Sequence, residues 1–539
     1  MNALSEKIKS SDYGILYQFP EDKKTKYISS KDNIQLLKVN RVILNGASDR
    51  IAFKLKIFND SKKRLRLNSA IISEFEWDLN PKEIIKTLIN GWVQSSDSGY
   101  IEGIKQTKKT KLFLLRDQNP YSFKEEFGYI ENSCISEWYT QLVLKDFSLF
   151  IGAITVDKQF CQIFISKQEE HIKVRVTAQL DGITLAPKET IETEEILFLI
   201  GDEKVNLSRF ADIMKSKLQD EILLKPIKGI CCSYYAQGNK VDFKYVQGTV
   251  DKLNEIVLTE NKKNTVVQID AGYCKFGDWL STNKEFGATL KETAEYIKEN
   301  GYMPGIWISP FIAEKDSDLF REHNDWFIKK KGKPFESRQT SPLDFLPLLS
   351  MYVLDVTKEE VQEYIKEVVK KFKGYGYSFI KIDFLYPSCF ADVYSKNVTR
   401  AQAIRMGVQA IREAAGRETY IMSAISHLSP LVGLVNYART GLDTSNPFVY
   451  GIPIVGSRVN DVMLRKNLNN YKNRLFYDKK IWINDIDCLV VNPKSYLSDT
   501  LLKEHYDFIT QSQAKWIGDD IRKLNSKLID KYIKPILNE

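Results

Sequence analysis

The stretch SFIKIDFLYP, residues 378–387, decides how this chain is read. It is an apolar run of strand type, broken by Lys381 and Asp383. In a strand, positions i and i+2 point to the same side, so the ammonium and the carboxylate share a face. Charges inside a buried run are costly unless they are paired or used. An ammonium beside a carboxylate favours the ionised carboxylate. Such a group suits a nucleophile better than a general acid. A buried ion pair that only fixes the strand register is the alternative.

Runs of the same kind recur on both sides. They are GICCSY (229–234), TVVQID (265–270), PGIWIS (304–309), YIMSA (420–424), GLVNYAR (433–439) and KIWIND (480–485). Amphipathic segments separate them, among them GATLKETAEYIKEN (287–300) and KEEVQEYIKEVVKKFKG (358–374). The latter reads as a helix with Thr357 as N-cap and Gly374 as C-cap. Strand–helix alternation on this scale predicts an α/β architecture, a closed (β/α)8 TIM barrel, over residues 225–539. AKWIG (514–518) supplies the eighth and most weakly marked strand. An open doubly wound sheet is the alternative, but no glycine-rich phosphate turn follows an early strand.

The first 210 residues have a period-two texture instead. RIAFKLKIF (50–58), TKLFLLR (110–116), FSLFIGAITV (147–156) and QIFISK (162–167) alternate with polar turns. They predict an N-terminal antiparallel β-sandwich domain over 1–210. ADIMKSKLQDEI (211–222) reads as a helix, within a linker spanning 211–224.

Composition narrows the function. The chain has 539 residues, 43% hydrophobic and 27% charged, with a net charge of +8, as a globular protein has. The basic runs KQTKKTK (105–111) and KKKGKP (329–334) carry no interleaved aromatics and read as solvated loops, not a nucleic-acid surface. Seven cysteines in no CxxC pattern and only four histidines argue against a disulfide framework and a histidine-rich metal site. No metal and no cofactor is expected. MNALSEKIKSSDYG at the N-terminus lacks the apolar core of a signal peptide, and no apolar run of about 18 residues occurs. The expectation is a soluble cytoplasmic protein with no membrane partner; homo-oligomerisation stays open.

Barrel active sites lie at the C-terminal ends of the strands. The polar residues ending the runs are Tyr234, Asp270, Trp307, Ser309, Lys381, Asp383, Arg439, Asp443, Asn484, Asp485 and Asp487. Several strands thus deliver carboxylates to one rim, as in a carboxylate-based glycosidase. A magnesium site built on oxygen ligands has a similar composition, but Lys381 among the carboxylates argues against a divalent cation. Asp443 lies in ARTGLDTSN (438–446), between Gly441 and Pro447, and is expected in a loop over the barrel mouth. There it is either a second, protonated carboxylate or an Asx-turn residue. Arg439 reads as a clamp on substrate or carboxylate, or as a structural ion-pair partner.

These motifs, in this order, resemble glycoside hydrolase family 36 and its clan, the α-galactosidases and raffinose-synthase-like proteins. The resemblance covers residues from about 225 to 530. It rests on GICCSYYAQ, VQIDAGYCKFGDW (267–279), GIWISPFIAEKDSDLFREHNDWF (305–327), LDVTKEEVQEYI (354–365), PLVGLVNYARTGLDT (430–444) and IWINDIDCLVV (481–491). It implies a retaining glycosidase on a TIM barrel, of the α-galactosidase type, acting on a small oligosaccharide or glycoside. Asp383 would be the nucleophile and Asp443 the acid/base. Asp270, Lys381, Trp307 and Tyr234 would bind the sugar, with Arg439 beside the acid/base. The segment INGWVQSSDSGY (89–100) is similar to a loop of the family's sandwich domain, so Trp92 would reach the cleft; core packing is its alternative. The family's usual C-terminal β domain is expected to be absent or truncated here.

The departures concern the sugar. The family's Asp-Asp pair is Asp270-Ala271 here, and SAISHLSP (423–430) replaces a Gly-Cys-containing segment. Loss of a charged acceptor is worth a few kcal/mol, about enough to change sugar preference. His427 is a candidate replacement contact, with a loop-surface histidine as the alternative. A raffinose-synthase-type transglycosidase, a relative specific for another sugar (an α-N-acetylgalactosaminide or a β-L-arabinopyranoside) and a non-catalytic carbohydrate-binding protein are the competing readings.

Overall fold

The computed structural model describes all residues except 1, 20–24, 31, 33–35, 106–120, 122–132, 219–223, 225–226, 331–332, 336–350, 392 and 446–452. The predicted strand at 110–116, most of the basic run at 105–111 and Pro447 lie outside the described residues. The chain divides into two compact units. One is Met1–Trp92, Ser96–Gln219 and Tyr394–Arg405; the other is Val93–Ser95, Asp220–Val393 and Met406–Glu539.

The first unit holds two antiparallel sheets. The strand Arg50–Asn59 shows why the sequence makes it so: Ile51, Phe53, Leu55 and Ile57 alternate inward and are at most 1% exposed. Phe75 of one sheet meets Phe198 of the other, ring centroids 6.5 Å apart, as faces of a sandwich meet. The helix Glu203–Ser216 starts earlier than the sequence indicates, because Asp202 caps the Lys204 and Val205 amides at 2.9 and 3.0 Å. Its Phe210 packs on Phe150 at 4.7 Å, so over 211–216 the helix rests on the sheet and is no free linker; residues 219–222 are not described. The segment Tyr394–Arg405, read from sequence as barrel, groups with this unit. Its Asn397 exchanges hydrogen bonds with the Thr184 backbone at 2.7 Å, and Arg400 pairs with Asp181 at 3.2 Å.

The second unit is the α/β barrel that the apolar runs predict. Its strands are Ile227–Cys232 (β1), Thr265–Ile269 (β2), Met303–Ile308 (β3), Phe379–Ile382 (β4), Tyr420–Ser423 (β5), Tyr437–Arg439 (β6), Ile483–Asp485 (β7) and Ala514–Ile517 (β8). They pair in parallel in the order β7-β6-β5-β4-β3-β2-β1-β8. Leu489, just past β7, joins the two edges: its amide donates to Trp516 O, and the Gly518 amide donates to Leu489 O, both at 2.9 Å. Closure leaves few exposed strand edges. Helices Phe243–Ile256 (α1), Leu290–Glu299 (α2), Glu359–Tyr375 (α3), Arg400–Ala415 (α4), Pro453–Asn473 (α5) and Asp499–Gln511 (α6) connect the strands, except between β5 and β6, where a short 3-10 turn suffices.

The ends of α3 correct the sequence reading. Thr357 does not cap it; its hydroxyl donates to Asp355 at 2.6 Å, and Lys358 occupies the cap position. The helix runs through Gly374 and stops at Gly376, whose φ of 106° is the left-handed turn a C-terminal cap requires. Gly374 and Gly376 lie two residues apart, and only Gly376 adopts that conformation.

Inside the barrel the strands stack aromatic rings. Phe379 lies 5.6 Å from Trp516, 6.0 Å from Tyr437 and 6.5 Å from Tyr420. This dry layer floors the polar residues at the C-terminal strand ends. Truncation of Phe379 to Ala is expected to cost about 3–5 kcal/mol through the cavity it leaves. Truncation of Ile43, 59% exposed on an edge strand, should change stability by about 0.5 kcal/mol or less. Denaturant unfolding of the two variants measures the difference.

Candidate active site

β4 emerges with Lys381 and Asp383, each 7% exposed. Their charges go to different partners. Lys381 Nζ pairs with Asp270 Oδ2 at 2.9 Å, not with Asp383. This corrects the sequence argument, in which the lysine holds its strand neighbour. The i, i+2 rule fixes which side a residue faces, whereas the partner is chosen across the barrel by β2. Burial works against the Lys381 charge, but Asp270, together with Cys232 and Asp383, outweighs it and holds the ammonium well above its ordinary range. Asp270 also accepts from Cys232 Sγ at 3.4 Å and, through Oδ1, from the Ala271 amide at 2.9 Å.

Asp383 is gripped by N–H donors. Trp307 Nε1 of β3 donates to Oδ2 at 3.0 Å. The Phe384 and Ile425 amides donate to Oδ1 at 2.7 and 3.0 Å. These three partners are all donors, the set that suits an acceptor-only carboxylate. Phe384 has φ 49°, a left-handed conformation costly for a bulky residue, and this turn brings its amide onto the carboxylate. Ser309 Oγ donates to the Asp383 carbonyl at 3.3 Å. Trp307 is itself packed edge-on by Phe276 at 5.1 Å and Trp279 at 5.8 Å, which fixes its indole.

Arg439, at the end of β6 and 3% exposed, sits among three carboxylates. It reaches Asp485 at 2.6 Å, Asp487 at 2.6 Å and Asp443 at 3.1 Å. Burial opposes its charge, but the carboxylates, Asp487 foremost, outweigh it and keep the guanidinium protonated. Burial raises Asp485 above the usual carboxylate range. Asp487 is lowered: burial opposes its charge, and Arg439, the Tyr235 hydroxyl, Lys381 and the Thr444 amide together more than compensate. Asp443 is pushed up to about 6, first by burial and then by the charge of Asp487, against Arg439 and Lys381. Its side chain keeps 43% of its surface open, so solvent weakens the effect but leaves its direction.

The remaining candidates divide. Tyr234 follows β1, half-buried, its phenol raised by burial and then by Asp443, Asp270 and Asp383, so it belongs to this cluster. His427 is fully buried, 3.7 Å from Cys389 Sγ through Nε2, and is not a loop-surface histidine. Trp92 lies in the first unit, 4% exposed, packed on Tyr121 at 5.3 Å and Phe160 at 6.3 Å. Asn484 turns away from Arg439 and bonds the Arg474 carbonyl at 2.9 Å. Sequence reading placed Asp485 and Asp487 at strand ends but did not single them out, and it missed Tyr235, whose hydroxyl donates to Asp487. Among the described residues no group of three or more His, Cys, Asp and Glu is arranged to hold a metal ion. Among them, too, no helix is long and apolar enough to cross a membrane.

The Melibiase family model matches residues 269–411, from the end of β2 to within α4. The resemblance to glycoside hydrolase family 36 is borne out. The chain is 27% identical over 236 residues to α-galactosidase Mel36A of Lactobacillus acidophilus, covering 40% of this chain and 29% of that one. It is 32% identical over 127 residues to the bifunctional α-galactosidase/sucrose kinase AgaSK of Mediterraneibacter gnavus, covering 23% and 12%. The matched segments thus span less than a third of these relatives. The fold superposes on TtGalA, an α-galactosidase from Thermus thermophilus in complex with stachyose, with a TM-score of 0.64 at 18% identity, covering 93% of this chain and all of that one. The family 36 α-galactosidase AgaA from Geobacillus stearothermophilus gives 0.63 at 13% identity, over 93% and 67%. At such identities the likeness speaks for the fold: an antiparallel N-terminal part followed by the parallel barrel.

The Lys381–Asp270 pair is nearly fully buried, with 8% and 4% of the side chains exposed. Lys381→Met and Asp270→Asn are each expected to cost about 3–5 kcal/mol, because each strands the other charge. The double variant should recover part of that loss. Denaturant unfolding of the three variants checks this.

Proposed function

We propose that the chain is a retaining glycoside hydrolase of α-galactosidase type, with Asp383 as nucleophile and Asp443 as acid/base. One observation carries the reading. Two carboxylates at the same strand ends have opposite surroundings: Asp383 accepts three N–H bonds, whereas Asp443 is pushed up to about 6. Carboxylates in different environments are how one site performs both roles.

In the proposed reaction Asp443 protonates the glycosidic oxygen while Asp383 attacks the anomeric carbon. The bond to the leaving group breaks and a covalent glycosyl-enzyme forms. Asp443, now ionised, takes a proton from water, which attacks the same carbon and frees the sugar and Asp383. Trp307 holds the nucleophile through its indole N–H and offers its ring face to the sugar. Asp270 and Lys381, joined to each other, offer an acceptor and a donor to sugar hydroxyls. Tyr234 completes that wall. Arg439 steadies Asp443 when it becomes negative. The chemistry is of the kind that the names of the α-galactosidase relatives state, and small α-galactosides are the proposed substrates. The described cysteines are all free and buried, which fits a reducing compartment, and the cytoplasm is the proposed location.

Ala271 favours one alternative on the sugar. It is 6% exposed and offers no acceptor where the family carries a second aspartate. A relative acting on another sugar would share the carboxylate pair and differ here. A panel of aryl glycosides separates the two: α-galactoside turnover well above that of α-N-acetylgalactosaminide and β-L-arabinopyranoside supports the proposal, and the reverse order selects the alternative.

Asp383→Ala is expected to lower kcat by at least about 10³-fold with the fold intact, and azide should partly restore turnover as a glycosyl azide. Near-normal rates would remove Asp383 from the mechanism. Asp443 must carry its proton for the first step, and that form is lost as pH rises through about 6. The kcat/KM profile should therefore fall on its basic side near that pH, and the fall should vanish in Asp443→Ala.

A further inference from the structure

Asp487 has no role in the proposed reaction, yet its carboxylate makes three contacts on the rim. It follows β7 with φ 72°, a left-handed conformation that is rare for a residue with a side chain and tolerated best by Asn and Asp. Its Oδ1 lies 2.6 Å from Arg439. Its Oδ2 accepts from the Tyr235 hydroxyl and, at 2.7 Å, from the Thr444 amide. Thr444 is the residue after Asp443, so this bond ties down the loop that carries Asp443. Gly441 closes the loop from the other side: a Cβ there would come within 1.9 Å of Asn467 Oδ1, so the backbone presses against α5. Asp487 therefore holds both the backbone beside Asp443 and the cation that would otherwise neutralise it.

We propose, resting on the reading of Asp443 as acid/base, that Asp487 is the positioning residue for Asp443. It fixes the Asp443 loop through the Thr444 amide, and it draws the Arg439 charge away so that Asp443 can keep a proton. The charged and titratable groups facing the pair come from every neighbouring element. Arg439 and Asp485 stand beside them on β6 and β7, Lys381 and Asp383 on β4, and Tyr234 and Tyr235 after β1. His505 of α6 lies behind, against the backbone of Ile486 and Asp487; burial pushes it down to about 4, so it adds no charge near neutral pH. Asp487 contacts both the cation and, through Oδ2, the Thr444 amide beside Asp443.

Asp487→Asn keeps the shape and tolerates the same backbone while removing the charge. Arg439 then acts more strongly on Asp443, which should lose its proton at lower pH. The expected result is a basic limb of kcat/KM moved down by about half a pH unit or more. With alkyl α-galactosides, whose leaving groups need protonation, kcat should fall at least about tenfold more than with a nitrophenyl α-galactoside, and KM should stay within about threefold. Asp487→Ser provides a second charge-free variant. A folded variant whose basic limb does not move overturns the proposal, and so does loss of the fold in both variants, which assigns Asp487 to stability alone. Asp443→Ala, measured in parallel, separates the premise. If that variant cleaves alkyl galactosides normally, the acid/base reading itself fails. If it loses them while the Asp487→Asn limb stays in place, only the role of Asp487 fails.

Discussion

Two buried cations face five carboxylates at the C-terminal ends of the barrel strands. Lys381 and Arg439 stand against Asp270, Asp383, Asp443, Asp485 and Asp487. In a place of low hydration such an excess of negative charge cannot remain fully ionised. The pairings decide where the proton goes. Lys381 is taken by Asp270, and Arg439 is drawn most closely to Asp485 and Asp487. Asp383 is served by neutral N–H donors, and Asp443 is left with the longest contact to a cation it shares. The chemistry proposed for the site is a consequence of this division of partners.

The backbone bears part of that arrangement. Phe384 and Asp487 each adopt a left-handed conformation directly after a barrel strand or within a few residues of it. Such residues cost on the order of 1–3 kcal/mol each and persist where the surroundings over-determine them. Here the surroundings are identifiable. The Phe384 amide bonds Asp383, and the Asp487 carboxylate binds a guanidinium, a phenol and an amide. The aromatic floor of Phe379, Tyr420, Tyr437 and Trp516 beneath them supplies rigid packing that can hold the strain. Strand burial and site geometry are thus one problem: the inward-facing residues of β4 lead from the floor at Phe379 to the charged rim at Lys381 and Asp383.

Much of the fold was legible in the sequence because buried parallel strands are nearly continuous apolar runs, and all eight stand where such runs occur. Even the weakly marked AKWIG is a strand, with Trp516 in the core. Boundaries that depend on long-range contacts were not legible. Tyr394–Arg405 sits in sequence between two barrel strands, and long-range bonds such as those of Asn397 to Thr184, Thr399 to Lys158 and Arg400 to Asp181 place it with the sandwich. The strand-end rule gathered Asp270, Lys381, Asp383, Arg439 and Asp443 as candidates, since alternation fixes direction. It could not pair them, because pairing across a barrel depends on shear and on side-chain length. Lys381 therefore met Asp270 instead of Asp383. Tyr235 was hidden next to Tyr234, with no local signal that its hydroxyl crosses to Asp487.

The central claim is that Asp383 becomes covalently bonded to the sugar. Incubation with a fluorinated α-galactosyl fluoride, which forms the glycosyl-enzyme quickly and releases it slowly, followed by mass spectrometry of the intact chain and of its proteolytic peptides, tests this directly. The account predicts one fluorosugar per chain, carried by the peptide SFIKIDFLYP at Asp383 and absent from the Asp383→Ala variant. A label on another residue, or steady turnover of an ordinary aryl α-galactoside with no label trapped at all, would contradict it.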